Sequence, residues 1–490
     1  MKRYTGFAFA GLCLTMMAAS VSAAWLKGQA VTWADFSRIK HVTSSADYAY
    51  FATTAGIIRY DKMQREWEEP LTGSPGVDNT DIGRIWVDLF DEKLFAETSI
   101  GLFQYDLFFD RWYQVSKVPS LDNNCVHIRA PVVMYPPIRH NYAADGRIID
   151  PYGRYFFFTD VVDDRSGNLW MGTWGHGAAT AGSSSHIVEL LPYGLIQNRV
   201  NAIMALGEEI WVSGAAVDPG RTGISIMDPR TNSFRHIESG VDDDFPAVDI
   251  NFLEGDDSMV YVGTPLGLLC LDSETGSVRR RLTARSGLAE DNVLCIGKLG
   301  DSLLVGTENG LSLITGSGDS ISVIRPHEFS NRLVYDVLTL DSMVWIATSA
   351  GAYRFRLPSG RLQQIQDPNF YLNGRVYDIE PFDNDLWFAT EDAVVRVNTV
   401  SGDIEPFPTS DRTGDARALA VNEWIVAYSS DRGVTIIYYT DKNRNTREFT
   451  TDDGLASNYV YSLLMDGDYL WIGSDRGLTR FLWNNPDRVD

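Results

Sequence analysis

A chain of 490 residues, 44% apolar and 12% aromatic, can bury a sizeable core, and length alone would divide it into two to four domains. A formal charge of −23 argues against nucleic acid and anionic membrane surfaces as partners, because so acidic a surface repels both. Trp, Tyr and Phe are scattered along the whole chain and favour strands, whose pleated surface packs flat side chains well.

The chain opens with the features of a secretory leader. Lys2 and Arg3 supply the positive start, Phe7 to Ala19 is an uncharged and largely apolar run, and Val21-Ser22-Ala23 precedes an expected cut at Ala24. The run is too short to span a bilayer, and no later stretch reaches the length a membrane helix needs. Cys13 follows Ala10-Gly11-Leu12, and a bulky Leu directly before the Cys fits a lipid-attachment box poorly. Removing residues 1–23 leaves 40 basic against 65 acidic residues, a charge of −25. Three cysteines then remain, Cys125, Cys270 and Cys295. The last two lie inside apolar strands and read as small buried hydrophobes, so no disulfide framework is expected.

From residue 24 onward one pattern recurs: apolar, aromatic, apolar, Gly or Ala, Thr or Ser, two variable residues, then Gly. Leu470-Trp471-Ile472-Gly473-Ser474 ending at Gly477 is one copy, and Val344-Trp345-Ile346-Ala347-Thr348 ending at Gly351 is another. The aromatic slot falls at Tyr50, Phe95, Trp170, Trp211, Tyr261, Leu304, Trp345, Trp387, Ala427 and Trp471. The intervals are 45, 75, 41, 50, 43, 41, 42, 40 and 44 residues, the spacing of a four-stranded propeller blade. Within one copy, strands are expected at Val334 to Leu340, Met343 to Thr348, Ala352 to Leu357 and Arg361 to Ile365, with Asp, Ser, Gly and Pro in the turns.

The expected fold is therefore all-β: a single closed β-propeller of about ten four-stranded blades over residues 24–490, with an insertion at about 121–155. The last unit has room for three strands only, and Ala30-Val31-Thr32-Trp33 is a spare strand that would complete it and remove two exposed edges.

The repeat resembles the two-component regulator propeller family. Asp453-Gly454-Leu455-Ala456-Ser457-Asn458 before Val460, Ser286-Gly287-Leu288-Ala289-Glu290-Asp291-Asn292-Val293, and Asp164-Arg165-Ser166-Gly167-Asn168-Leu169-Trp170 carry the resemblance. It spans nearly the whole chain after the leader, with units one, two and nine degenerate. It implies an extracytoplasmic, sensor-like propeller and says little about chemistry. Members of the family typically precede a membrane helix and a kinase. Neither is seen in this sequence, so the signalling role does not carry over directly.

In an up-and-down unit, the second-to-third connection and the link to the next unit lie at the same end. Three enlargements fall at that end: the insertion, Trp174 to Ser185 in unit three, and Gly214 to Thr222 in unit four. Loops on a rigid scaffold are where binding usually resides. These segments hold His127, His140, His176 and His186 with Arg139, Asp150, Arg154, Asp160, Trp174, Asp218 and Arg221. One reading is a polar, aromatic pocket for a glycan or peptide, with Arg139, His140, Asp150, Arg154, Trp174, His176, Asp218 and Arg221 as its ligand-binding residues. The other is a plug whose charges satisfy one another.

Asp441, Asn443, Asn445 and Asp452 have calcium-loop spacing, but Thr446 stands where the sharp turn needs Gly, and a hairpin turn is expected there. Asp242-Asp243-Asp244 reads as a solvated link. The sequence contains no His-x-x-x-His pair, Gly-x-Ser-x-Gly elbow or phosphate loop, so no cofactor or metal is expected. The expected function is a non-catalytic, periplasmic or extracellular scaffold that binds a protein or glycan ligand. A glycan-active hydrolase or lyase and a structural envelope component are the alternatives.

Overall fold

The computed structural model describes residues 30–484 apart from 73–76, 89–92, 107–110, 118–124, 129–133, 216–220, 242–244, 316–319, 325, 358–359, 410–413 and 443. The expected leader, Cys13 and Asp242-Asp243-Asp244 lie outside these residues. The described chain folds into ten antiparallel sheets. Nine have four strands, and the third carries three additional short ones. The units span 39–67, 84–115, 155–191, 202–238, 252–282, 293–324, 334–364, 376–408, 419–449 and 460–482.

The recurring Thr-x-x-Gly is turn chemistry. Thr348 Oγ1 accepts the Ala350 N–H at 3.1 Å and donates to the Gly351 carbonyl at 2.7 Å, which pins the hairpin between second and third strands. Thr264 does the same for Leu266 and Gly267. The aromatic slot lies on the second strand of every unit, where Trp211, Trp387 and Trp471 are almost wholly buried. Cys270 and Cys295 are buried, as expected of small hydrophobes. The Asp441 to Asn445 segment is the expected hairpin turn, with Asn443 outside the described residues.

The N-terminal strand completes the last unit. Ala30, Val31, Thr32 and Trp33 pair antiparallel with Phe481, Arg480, Thr479 and Leu478. Gly477 sits at φ +134°, and a Cβ there would stand 2.2 Å from the Trp33 carbonyl, so the strand could not lie where it does beside any larger residue.

The contacts among inner strands do not build the expected single ring of about ten. Ala202–Leu206 packs on Phe252–Gly255, and the succession runs through Val293–Leu299, Val334–Leu340, Val376–Phe382 and Leu419–Val421 to Val460–Asp466. That last strand packs back on Ala202–Leu206, so units four to ten contact one another in cyclic order. The physical reason lies at Val200, whose N–H donates to the Ser474 carbonyl at 2.8 Å and whose carbonyl accepts from Ser462 Oγ at 3.5 Å. Unit four thereby occupies the place beside unit ten that a ten-membered ring would give to unit one. Units one to three form a separate group. Ile39–Ser44 packs on Tyr155–Asp163 and Asn168–Trp174, and also on Arg84–Val87. Their order in space is three, one, two.

The two groups meet around Trp33. Its indole N–H donates to Asn232 Oδ1 at 2.8 Å and approaches the Tyr193 hydroxyl at 3.2 Å, and its ring lies 5.9 Å from that of Trp471. Tyr193 in turn stacks on Trp67 at 4.7 Å and donates to the Glu68 carbonyl at 3.0 Å, which ties unit one into the joint.

Replacing Trp33 by Ala removes a fully buried side chain and leaves polar partners unpaired, so urea unfolding should show a loss of about 3–5 kcal/mol. A variant as stable as the parent would mean that the joint does not depend on this strand.

Candidate functional site

The insertion extends the sheet of unit three. The hairpin strands Asn141–Tyr142 and Ile148–Ile149 continue onto the inner strand, with Ile148 opposite Phe156 and Ile149 opposite Tyr155. Strand alternation then sorts the side chains by face. Ile148 and Phe156 are buried, while Tyr155 and Phe157 are exposed. The Phe156 ring stacks on His176 at 4.1 Å, and the edge of His140 meets both rings.

Beneath this sheet the charged residues converge. Arg154 Nε donates to Asp150 Oδ2 at 2.6 Å, and its Nη1 reaches Glu238 at the end of unit four. Arg221 holds both oxygens of Glu238, at 2.8 and 3.3 Å. Asp150 Oδ1 accepts the backbone N–H groups of Tyr152 and Arg154 at 2.9 and 2.8 Å, and its other oxygen lies 3.3 Å from His176 Nε2. Asp150 and Glu238 are 5% and 6% exposed, so each buried carboxylate depends on its arginine.

Burial raises the Asp150 carboxyl, but the hydrogen bonds and charge of Arg154 outweigh it and hold it below its ordinary value. Burial opposes ionisation of Glu238 too, and Arg221 and Arg154 overcome it. Burial, then the charges of Arg154 and Arg221, pull the His176 imidazole down to about 4. His236, buried beside Arg221, is likewise pulled down to about 4.

Asp150, Arg154, His176 and Arg221 are thus brought together, with His140 at their edge. Arg139 is exposed in a turn at φ +68°. Trp174 stands opposite Phe157 on the outer face, 39% exposed, with Arg38 over its ring. Asp218 lies outside the described residues, as does most of the Gly214–Thr222 connection. His186 sits in the turn before the fourth strand. The expected long connection from Trp174 to Ser185 is in fact a tight turn, followed by a third strand at Ala178–Gly182. Alternate residues of that strand, Ala179 and Ala181, pack with Met134, Leu169 and Met171.

A second cluster joins His127 to a residue outside the expected set. His127 Nδ1 lies 3.0 Å from Asp160 Oδ1, and His41 Nε2 lies 3.8 Å from Asp160 Oδ2. His41 and Asp160 occupy one repeat position, the residue after the register shift in the inner strand. Elsewhere this position latches the next unit. Asp336 accepts the Ile379 N–H at 3.0 Å, and Asp378 accepts that of Leu419 at 2.7 Å. Asp160 accepts that of Val42 at 2.8 Å, which latches unit three to unit one. The signal was present in the sequence as Val334-Tyr335-Asp336 and Val376-Tyr377-Asp378.

The two component regulator propeller model matches residues 454–476, which are the repeat loop and first two strands of unit ten. The repeat resemblance is thereby shown at that unit. No curated protein matches the sequence. Among solved structures, the chain is similar to PorZ, an essential bacterial surface component of the type-IX secretion system of Porphyromonas gingivalis. The two are 12% identical, over 91% of this chain and 69% of that one, at a TM-score of 0.52, a likeness that shows the fold. The extracellular domain of a one component system from B. thetaiotaomicron is 13% identical over 92% and 71% of the two chains, at 0.48. That of a hybrid two component system from the same organism is 13% identical over 92% and 70%, also at 0.48. No helix among the described residues is long and apolar enough to cross a membrane.

The network makes stability depend on pH through His176. Above pH 6.5 its imidazole is neutral in both states, whereas below it the unfolded chain takes up a proton that the folded chain refuses until about pH 4. Stability is therefore lost as pH falls through that window. His176→Phe retains a ring against Phe156 and deletes the proton. Its melting temperature should gain on the parent's between pH 6.5 and 4, and a gap independent of pH would contradict the buried neutral imidazole.

Proposed function

We propose that this chain is an exported, non-catalytic propeller scaffold, sensor-like in character, that engages a protein partner through the outer face of unit three and its insertion. One observation carries the reading. Among the described residues, 18 large hydrophobic side chains are exposed, and nine of them lie between residues 126 and 187. Three of the nine, Tyr155, Phe157 and Trp174, lie side by side on one face, and exposed apolar groups so gathered mark an interaction surface, whereas those scattered singly mark nothing.

The composition of the face favours protein over glycan. Tyr155, Phe157 and Trp174 share one side of the sheet by register. Arg147 lies over Tyr155 at 4.4 Å, and Arg38 over Trp174 at 6.0 Å. Tyr, Trp and Arg are the side chains that dominate protein interfaces, because they combine large contact area with a polar handle. The ion network under the face supports it by holding the insertion to unit four, so the aromatic groups are presented on a fixed support rather than on a free loop. Both carboxylates of that network are held by its arginines. This favours binding over the enzymatic alternative.

A photo-reactive amino acid placed at Phe157 should cross-link the chain to a partner of defined mass in the producing cells. The same group at Val400, exposed on unit eight, should not. In the double variant Tyr155→Ser, Trp174→Ser the cross-link should disappear while the melting temperature stays within a few degrees, since exposed substitutions change stability little. Equal cross-linking from both positions, or survival in the double variant, would overturn the assignment.

A further inference from the structure

We infer that His41, His127 and Asp160 form a binding site for one divalent transition-metal ion of the zinc type. The three come from different strands. His41 lies on Ile39–Ser44 of unit one, and Asp160 on the inner strand Tyr155–Asp163 of unit three. His127 lies on the two-residue strand Val126–His127, which the insertion lays along the end of that inner strand opposite Asp163 and Val162. One ligand atom from each lies within 4.8 Å of the other two.

His127 Nδ1 makes a direct hydrogen bond to Asp160 Oδ1 at 3.0 Å, which a shared ion would replace, and the distance from His41 fits such an ion better than it fits a direct bond. His41 Nε2 and Asp160 Oδ2 are 3.8 Å apart, too far for a hydrogen bond. Two ligands each about 2.0–2.2 Å from one zinc ion stand roughly 3–4 Å from each other. The carboxylate is already aimed, because Asp160 Oδ2 accepts the Val42 N–H at 2.8 Å and Oδ1 accepts that of Val161 at 3.0 Å. Such hydrogen bonds to a ligand's own oxygens orient it toward the metal. The imidazole of His41 lies 4.8 Å from the ring of His127 and 6.4 Å from that of Trp86, tilted to both.

The donor set names the class of ion. Two imidazoles and one carboxylate suit zinc and its first-row neighbours, whereas calcium and magnesium require more oxygen ligands than this cluster offers. Three protein ligands leave a coordination position for water or a ligand, and the exposed edge of His127 marks the side from which it would enter. The site also has a structural consequence. It would join unit one, unit three and the insertion through one ion, reinforcing the latch that Asp160 already makes.

The test uses the leader-free chain without a histidine tag, stripped with a chelator and titrated calorimetrically with zinc chloride, alongside His127→Ala and Asp160→Asn. His127 is half-exposed, so its removal leaves the fold intact, and Asn at position 160 still accepts the Val42 N–H. The parent should bind one zinc per chain with a rise in melting temperature, and calcium chloride should give no heat. Each variant should bind zinc at least about tenfold more weakly, since losing a group that merely orients a ligand already costs that much. A parent that binds no zinc, or variants that bind it as the parent does, would overturn the site.

Discussion

The structure depends on a strand that is far from its sheet in sequence. Unit ten supplies three strands, and its fourth edge is closed by Ala30–Trp33, paired through four residues with Leu478–Phe481. An open edge there would expose a row of unpaired backbone groups, and the pairing removes it. The same strand decides the path of the chain. It starts in the seven-unit body, leaves it at Trp33 to build units one to three, and returns at Val200 to begin unit four. Ala34 accepts the Leu195 N–H at 2.9 Å, so the outgoing and returning segments are bonded to each other where they cross. The three-unit group is an excursion anchored at both ends.

One repeat position then serves several purposes. In the seven-unit body, Asp336 and Asp378 accept backbone N–H groups of the next unit, and Ser462 and Cys295 instead donate to the carbonyls of Val200 and Val334 at 3.5 and 3.6 Å. Enclosure raises the carboxyls of Asp336, Asp378 and Glu380, and their mutual repulsion adds to it at Asp336 and Glu380. A carboxyl raised on folding takes up its proton before the unfolded chain does, so these residues favour the body as pH falls from neutral. The His176 network has the opposite sign. In units one and three the same position holds His41 and Asp160, and the insertion adds His127. A slot that elsewhere joins neighbouring units has there acquired the donors of a metal site.

Most of the architecture was legible before the structure was known. The aromatic slots lie on second strands, the Thr-x-x-Gly turns close hairpins, and Ala30–Trp33 completes unit ten. The partition of the units was not legible, because it rests on which unit takes the place beside Ser474, and a 40-residue period is the same in either arrangement. The strand Ala178–Gly182 escaped notice since Ala, Thr and Gly carry no alternation of apolar and polar residues. At the site, topology placed the insertion and the Gly214–Thr222 connection at one end, which brings Asp150 and Arg154 near Arg221, whereas His176 joins them from a tight turn where a long connection was expected. Glu238 was missed although it unites both arginines, since it ends a regular strand and belongs to no enlarged loop. His41 was missed for the same reason, lying 86 residues before His127 in a strand that reads as ordinary.

The claim that Ala30–Trp33 closes unit ten and anchors both groups is tested most directly by amide hydrogen exchange under native conditions. If the strand is an integral edge, the amides of Ala30–Trp33 that bond to Gly477–Leu482 should exchange as slowly as those of the inner pairing of Tyr469–Ser474, and in the same cooperative opening. Rapid exchange across Ala30–Trp33, with Tyr469–Ser474 still protected, would contradict the account.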